Sequence, residues 1–208
     1  MNKYDFKSDE VPNQYIKSMI KHGIWNNNAP VKIEDLRLIT VIHLGFDQKR
    51  HQGKLICHKI IDQNIIAIFE ELLAKNFYIN KVNLIDKYQG NDHKSMIDNN
   101  SSAFNYRYIN NSNKLSIHSF GLAIDINPVQ NPCIIIDEDN NVSVLPKKGV
   151  NYLNRSKQKP GMIEPVVNIF SKYGFSQWGG NWQNPIDYHH FQLPREKIKT
   201  IPYQSNNL

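Results

Sequence analysis

The chain has 208 residues, 40% of them hydrophobic and 21% charged, enough to bury one sizeable core and ordinary for a globular protein. Twenty-five Lys and Arg against 19 Asp and Glu leave a formal charge of +6, but the basic residues are scattered and form no Arg-rich stripe interleaved with aromatics, so nucleic acid is not an expected partner. No apolar run approaches the roughly 20 residues of a membrane span, and the two cysteines, Cys57 and Cys133, make no disulfide framework and no Cys-based zinc motif.

Residues 1–30 read as an N-terminal extension to a domain covering 31–208, with a short helix between Val11 and His22 and a loop at Asn26, Asn27, Asn28 and Pro30. The opening stretch MNKYDFKSDEVPNQY is polar and lacks the apolar core of a signal peptide. The run DLRLITVIHL, 35–44, predicts a strand. Residues 57–75 predict the best helix, with Ile60, Ile61, Ile65, Ile68, Phe69, Leu72 and Leu73 at helical spacing and Asn76 as a stop signal. INKVNLID, 79–86, alternates like a strand. Residues 87–114 are polar and rich in Asn and Ser, a length that is usually functional or disordered inside a compact domain.

A turn and strand follow over 115–127, where Leu122, Ile124 and Ile126 face one way and Ala123 and Asp125 the other. CIIIDEDNNVSVL, 133–145, reads as a hairpin turning at DEDNN, and 164–173 as a second helix ended by Gly174. The last strand is expected near 187–193. Helices and strands mix without a regular βαβ alternation, which predicts an α+β fold with a mostly antiparallel sheet flanked by helices.

Three segments carry unusual chemistry: SIHSFGLAID (116–125), WGGNWQNPIDYHHF (178–191) and SMIDNNSSAFNYR (95–107). A carboxylate on an apolar strand, as at Asp125, needs a cation, a metal or hydrogen bonds to offset its burial. Asp187, His189 and His190 lie among Trp178, Trp182, Tyr188 and Phe191, and aromatic walls with few convergent polar groups are typical of binding sites. Two histidines and one aspartate are a three-ligand set, the number that catalytic zinc commonly takes. Taken singly, each feature also fits a hydrogen-bonded strand Asp or a satisfied core His.

Together these segments resemble the M15 metallopeptidases, the family of D-Ala-D-Ala carboxypeptidases and dipeptidases and of L-alanyl-D-glutamate endopeptidases. Over roughly 35–193 the chain fits Ser-x-His-x-x-Gly-x-Ala-x-Asp, Trp-Gly-Gly-x-Trp and Asp-x-x-His-Phe in the family's order, and it has no HExxH. The resemblance implies a Hedgehog/DD-peptidase-like fold and Zn²⁺ held by His118, Asp125 and His190. It implies Asp187 as general base and then acid, Arg107 facing developing negative charge or a substrate carboxylate, and Ser116 orienting substrate. It further implies a peptidoglycan stem peptide as substrate, a monomer, and a place in the cell envelope or periplasm.

Two positions depart from the family pattern: Asn181 stands where Asp is common, and His189 where Pro is common. The second leaves His189 and His190 as rival ligands; His190 keeps both the Asp-x-x-His spacing and the His-Phe pair. Asp rather than Glu at 187 places the chain nearest the endopeptidase branch, so cleavage between L-Ala and D-Glu is expected. The same-family alternative is a D-Ala-D-Ala carboxypeptidase, and an alternative of another class is a non-catalytic cell-wall-binding module.

Overall fold

The computed structural model describes residues 5–109 and 112–201. Lys7–Glu10 (β1), Leu36–Leu44 (β2) and Arg50–His58 (β3) form an antiparallel sheet in the order β1-β2-β3. Asp62–Ala74 (α2) packs on β2, burying Ile65, Ile68, Phe69 and Leu72, each worth about 1.5–3 kcal/mol of burial. Asn13–Lys21 (α1) buries Met19, and Ile24 follows it into the same core, so the described part of residues 1–30 packs within the domain.

The helix expected over 57–75 begins later. Cys57 and His58 end β3, paired with Arg37 and Leu36, and a 3-10 turn at Lys59–Ile61 separates them from α2. β3 escapes the sequence pattern because its first three residues are exposed hairpin and only its far half is buried. The strand expected over 79–86 is reduced to Lys81–Val82 (β4), paired in parallel with Asn100–Ser101 (β5). It ends there because the Asn83 amide donates to the Asn100 side chain (2.7 Å), and a 3-10 turn follows at Ile85–Tyr88.

Within the polar stretch 87–114, residues 99–105 are built into the interior; residues 110–111 lie outside the described part. The stretch contains Asp92–Ile97 (α3) and β5, and buries Asn99, Asn100, Ser101, Ser102 and Asn105. The two amides Asn99 and Asn100 are hydrogen-bonded: Asn100 donates to Asn83 O (3.0 Å) and Ser95 Oγ (3.0 Å), and Asn99 donates to Gln130 Oε1 (2.9 Å) and accepts from Val129 N (2.9 Å). Low hydrophobicity here marks a hydrogen-bonded scaffold, because buried amides are tolerated once paired.

Ala123–Asp125 (β6) pairs with His190–Gln192 (β11), which pairs in turn with Gln177–Trp178 (β9). The expected hairpin forms as Cys133–Ile136 (β7) and Val142–Leu145 (β8), joined at its edge by Ile186–Asp187 (β10). Val167–Lys172 (α4) covers part of the core, and Arg195–Lys199 (α5) follows β11. The mixture of helices and antiparallel strands is α+β. In place of one main sheet there are three three-stranded antiparallel sheets and a parallel pair, since most strands here run only two to four residues before a turn. Among the described residues no helix is long and apolar enough to cross a membrane, and Cys57 and Cys133 are buried and free.

Candidate active site

The antiparallel register of β6 and β11 sets His190 directly opposite Asp125 and Gln192 opposite Ala123, so His190, Asp125 and Gln192 share one face of the ladder. His118 arrives on a 3-10 turn, Ile117–Phe120, closed by Gly121 at φ +67°. A Cβ on Gly121 would stand 2.7 Å from the His58 nitrogen, which explains the glycine between the histidine and the aspartate of the motif. Ser116 caps the turn, its Oγ accepting from the His118 amide at 3.3 Å.

These elements bring three donor atoms to one point. His118 Nε2 lies 3.2 Å from His190 Nδ1 and 3.2 Å from Asp125 Oδ2, and His190 Nδ1 lies 3.0 Å from Asp125 Oδ1. All three residues are at most 7% exposed. The outer nitrogen of each ring is committed: His118 Nδ1 donates to the Ala103 carbonyl (2.5 Å), and His190 Nε2 donates to Gln192 Oε1 (2.9 Å). With those protons in place both inner nitrogens present lone pairs, to each other and to a carboxylate. Three acceptors converging in a buried place call for a cation between them.

Zn²⁺ fits this donor set. Tetrahedral ligands at about 2.0–2.1 Å lie about 3.3 Å from one another, close to the three separations of 3.0–3.2 Å. His118, Asp125 and His190 are also the one group of three or more His, Cys, Asp or Glu side chains, among the described residues, placed to share a metal ion.

His189 is not part of that group. Its Nδ1 donates to the Asn131 carbonyl (2.8 Å), and its Nε2 stands 3.0 Å from Asp187 Oδ1 and 4.0 Å from Asp125 Oδ2. Burial works against a charge on His189, but Asp187 and Asp125 outweigh it and push its pKa up to about 10. In the metal-free chain, where protons take the place of a cation, burial would likewise raise the Asp125 carboxyl; the charges of His118 and His189 and the hydrogen bonds from protonated His118 and His190 hold it well below the usual range. For His190 burial lowers the pKa, and the hydrogen bond and charge of Asp125 turn the balance upward.

Asp187 is partly buried beside the cluster, on β10. The Trp-Gly-Gly segment holds it there. A Cβ on Gly179 would meet the Asp187 carbonyl at 2.4 Å, so only glycine permits that backbone approach. Trp182 tilts against the His190 ring at 5.2 Å, and Trp178 donates from Nε1 to the Tyr188 carbonyl (2.9 Å).

Arg107 is fixed along its backbone by Ser119, whose Oγ accepts from Arg107 N (2.9 Å) and donates to Arg107 O (2.8 Å). Its guanidinium is ion-paired, Nη2 to Asp92 Oδ2 at 3.0 Å, while Nε is buried without a hydrogen-bond partner among the described residues. His118, Asp125, His190, Asp187, Arg107 and Ser116 all line one cleft of about 990 Å³. Sequence reasoning did not find Gln192, Asp92 or the Ala103 carbonyl. Gln192 sits two residues from His190, the same-face spacing of a strand, and that spacing was the available signal.

A protein-family model described as D-alanyl-D-alanine carboxypeptidase, of the M15 peptidases, matches residues 110–193. That stretch is similar to M15 peptidase sequence. It holds His118, Asp125, Asp187 and His190, and begins three residues after Arg107. No curated protein and no solved structure matches the chain. The match supports a peptidase of metallopeptidase type, and the buried His118–Asp125–His190 group could hold a metal ion.

Proposed function

We propose that this chain is a zinc-dependent M15-type peptidase that hydrolyses an amide bond in the stem peptide of bacterial peptidoglycan, acting in the cell envelope. The convergence of His118 Nε2, His190 Nδ1 and the Asp125 carboxylate, with Asp187 alongside in the same cleft, carries this reading. Bound there, Zn²⁺ would supply Lewis-acid polarisation of the scissile carbonyl and lower the pKa of attacking water to about 7. Asp187 takes a proton from the attacking water and returns it to the leaving amine, and His189 beside it holds that carboxylate in place. Arg107 lines the cleft and offers its guanidinium to developing negative charge or to a substrate carboxylate, held in aim by Asp92. Ser116, buried at the rim of the His118 turn, orients the peptide backbone. A non-catalytic wall-binding module has no use for Asp187 and Arg107 in one cleft with the metal ligands, which favours the enzyme.

The bond cut is assigned to L-Ala–D-Glu on the strength of Asp at 187. A second reading, removal of terminal D-Ala, is favoured by the description of the matching family model. Mass spectrometry of a defined pentapeptide stem after incubation with the zinc-loaded protein separates them. Free L-Ala at the new end supports the endopeptidase; free D-Ala with the L-Ala–D-Glu bond intact supports the carboxypeptidase; an untouched peptide removes both.

A further inference from the structure

Three carboxylates line the cleft, and each already has a cationic or histidine neighbour. Asp92 is paired with Arg107 (3.0 Å), Asp125 lies against His118 (3.2 Å), and Asp187 lies against His189 (3.0 Å). Three more cations line the same cleft: Lys114, Arg195 and Lys199. Their side chains make no hydrogen bond and no ion pair among the described residues. The cleft therefore carries positive charge that the described residues do not neutralise.

Two of these cations have a defined mounting. Arg195 and Lys199 are four residues apart on α5, so they share one helix face, and Ile198 on the same helix is buried and also lines the cleft. α5 begins three residues after Gln192, the partner of His190. Arg195 is the fifth residue after His190, which limits their separation to about 17 Å. An extended peptide rises about 3.4 Å per residue, so a substrate lying over the metal cluster reaches this face within about five residues.

We propose that the end of the cleft bounded by α5 is an anion subsite. There Arg195 and Lys199 would bind a carboxylate of the peptide substrate within about five residues of the bond that is cut, with Lys114 adding positive charge elsewhere along the same cleft. The subsite deepens the peptidase reading and rests on it. A carboxylated peptide is favoured over an anionic wall polymer because the cations share one recess with the catalytic side chains and with apolar Leu115 and Ile198. A polyphosphate strand needs a run of cations along an open face, and the remaining basic residues are scattered.

The test titrates the zinc-loaded full chain with two fluorescent stem-type peptides of equal length, one with free carboxylates and one with every carboxylate converted to carboxamide. The wild-type protein should bind the acidic peptide about tenfold more tightly, a difference of about 1.4 kcal/mol, and the preference should shrink in 0.5 M salt as exposed charges are screened. In R195A/K199A the ratio should fall to about one, and in R195E/K199E it should invert. Equal binding of the two peptides by the wild-type protein, or an undiminished preference in both double variants, overturns the proposal. So does a soluble polyglycerol phosphate that binds more tightly than the acidic peptide in an Arg195- and Lys199-dependent way, which would assign the face to wall polymer. Should the variants fail to fold, the salt dependence of the wild-type preference decides alone. Binding discrimination without cleavage of either peptide supports the subsite and removes the peptidase reading; cleavage of both peptides without discrimination does the reverse.

Discussion

His190 and Asp125 stand opposite each other on neighbouring antiparallel strands, with His190 Nδ1 3.0 Å from Asp125 Oδ1. The ladder register makes them one unit, and His118 completes it from a turn seven residues before Asp125. His190→Ala should therefore abolish tight zinc binding, whereas His189→Ala should retain about one zinc per chain, because His189 points to Asn131 and Asp187. Elemental analysis after dialysis reads both; loss of zinc from the His189 variant alone would reverse the assignment.

Zinc that binds the folded chain and not the unfolded one should stabilise it, by about 2.7 kcal/mol at a hundredfold excess over Kd. Adding zinc to chelator-stripped protein should raise Tm, and His118→Ala should remove the shift. The same rise in the variant would mean that the metal binds elsewhere.

Asp187→Asn should keep the metal and lower kcat about 10²–10⁴-fold, the usual contribution of an acid–base group. Near wild-type turnover with zinc retained would reduce Asp187 to a structural partner of His189.

Asp92 steadies Arg107 through Nη2, and Arg107 lines the cleft. Arg107→Lys replaces a planar fork by a point charge and should cost about 10²-fold in kcat or more. Asp92→Asn should cost less, since the guanidinium itself remains. A lysine variant as active as the parent would leave Arg107 only its ion pair.

His43 lies far from this chemistry in role. It is buried in β2, donates from Nδ1 to the Ile79 carbonyl (3.0 Å) and stacks on His51 at 5.6 Å. Burial first, then the charge of His51, lowers its pKa from 6.5 to about 4. Between those values the unfolded chain binds a proton that the folded chain does not, so stability should fall as pH drops from 6.5 toward 4, by at most about 3 kcal/mol. Denaturant unfolding of metal-free protein at pH 7.5 and 4.5 should show this loss, and His43→Asn, whose amide can still serve Ile79, should lose less. An equal loss in both proteins would assign the acid sensitivity to other groups.

Much of the local structure was legible because side-chain period and stop signals act over a few residues. The helix ending at Asn76, the hairpin at 133–145 and the strand at 36–44 follow from alternation, helical spacing and turn chemistry. The site motifs were legible too, since His118, Asp125, Asp187 and His190 fall at short spacings set by one turn and two strands. The choice between His189 and His190 was not. Adjacent histidines have the same composition and differ only in direction, and direction depends on which strand lies opposite and which carbonyl claims the spare proton. The role of 87–114 was hidden for a similar reason. Asn99, Asn100 and Ser101 look like loop until Gln130, Asn83 and Asn127, distant or separated in the chain, supply the partners that let them be buried. The sequence by itself determined which side chains are available for metal and acid–base chemistry, because those are properties of single residues. Tertiary structure decided which nitrogens converge and which cations stay unpaired, because hydrogen bonds and ion pairs are made across space rather than along the chain.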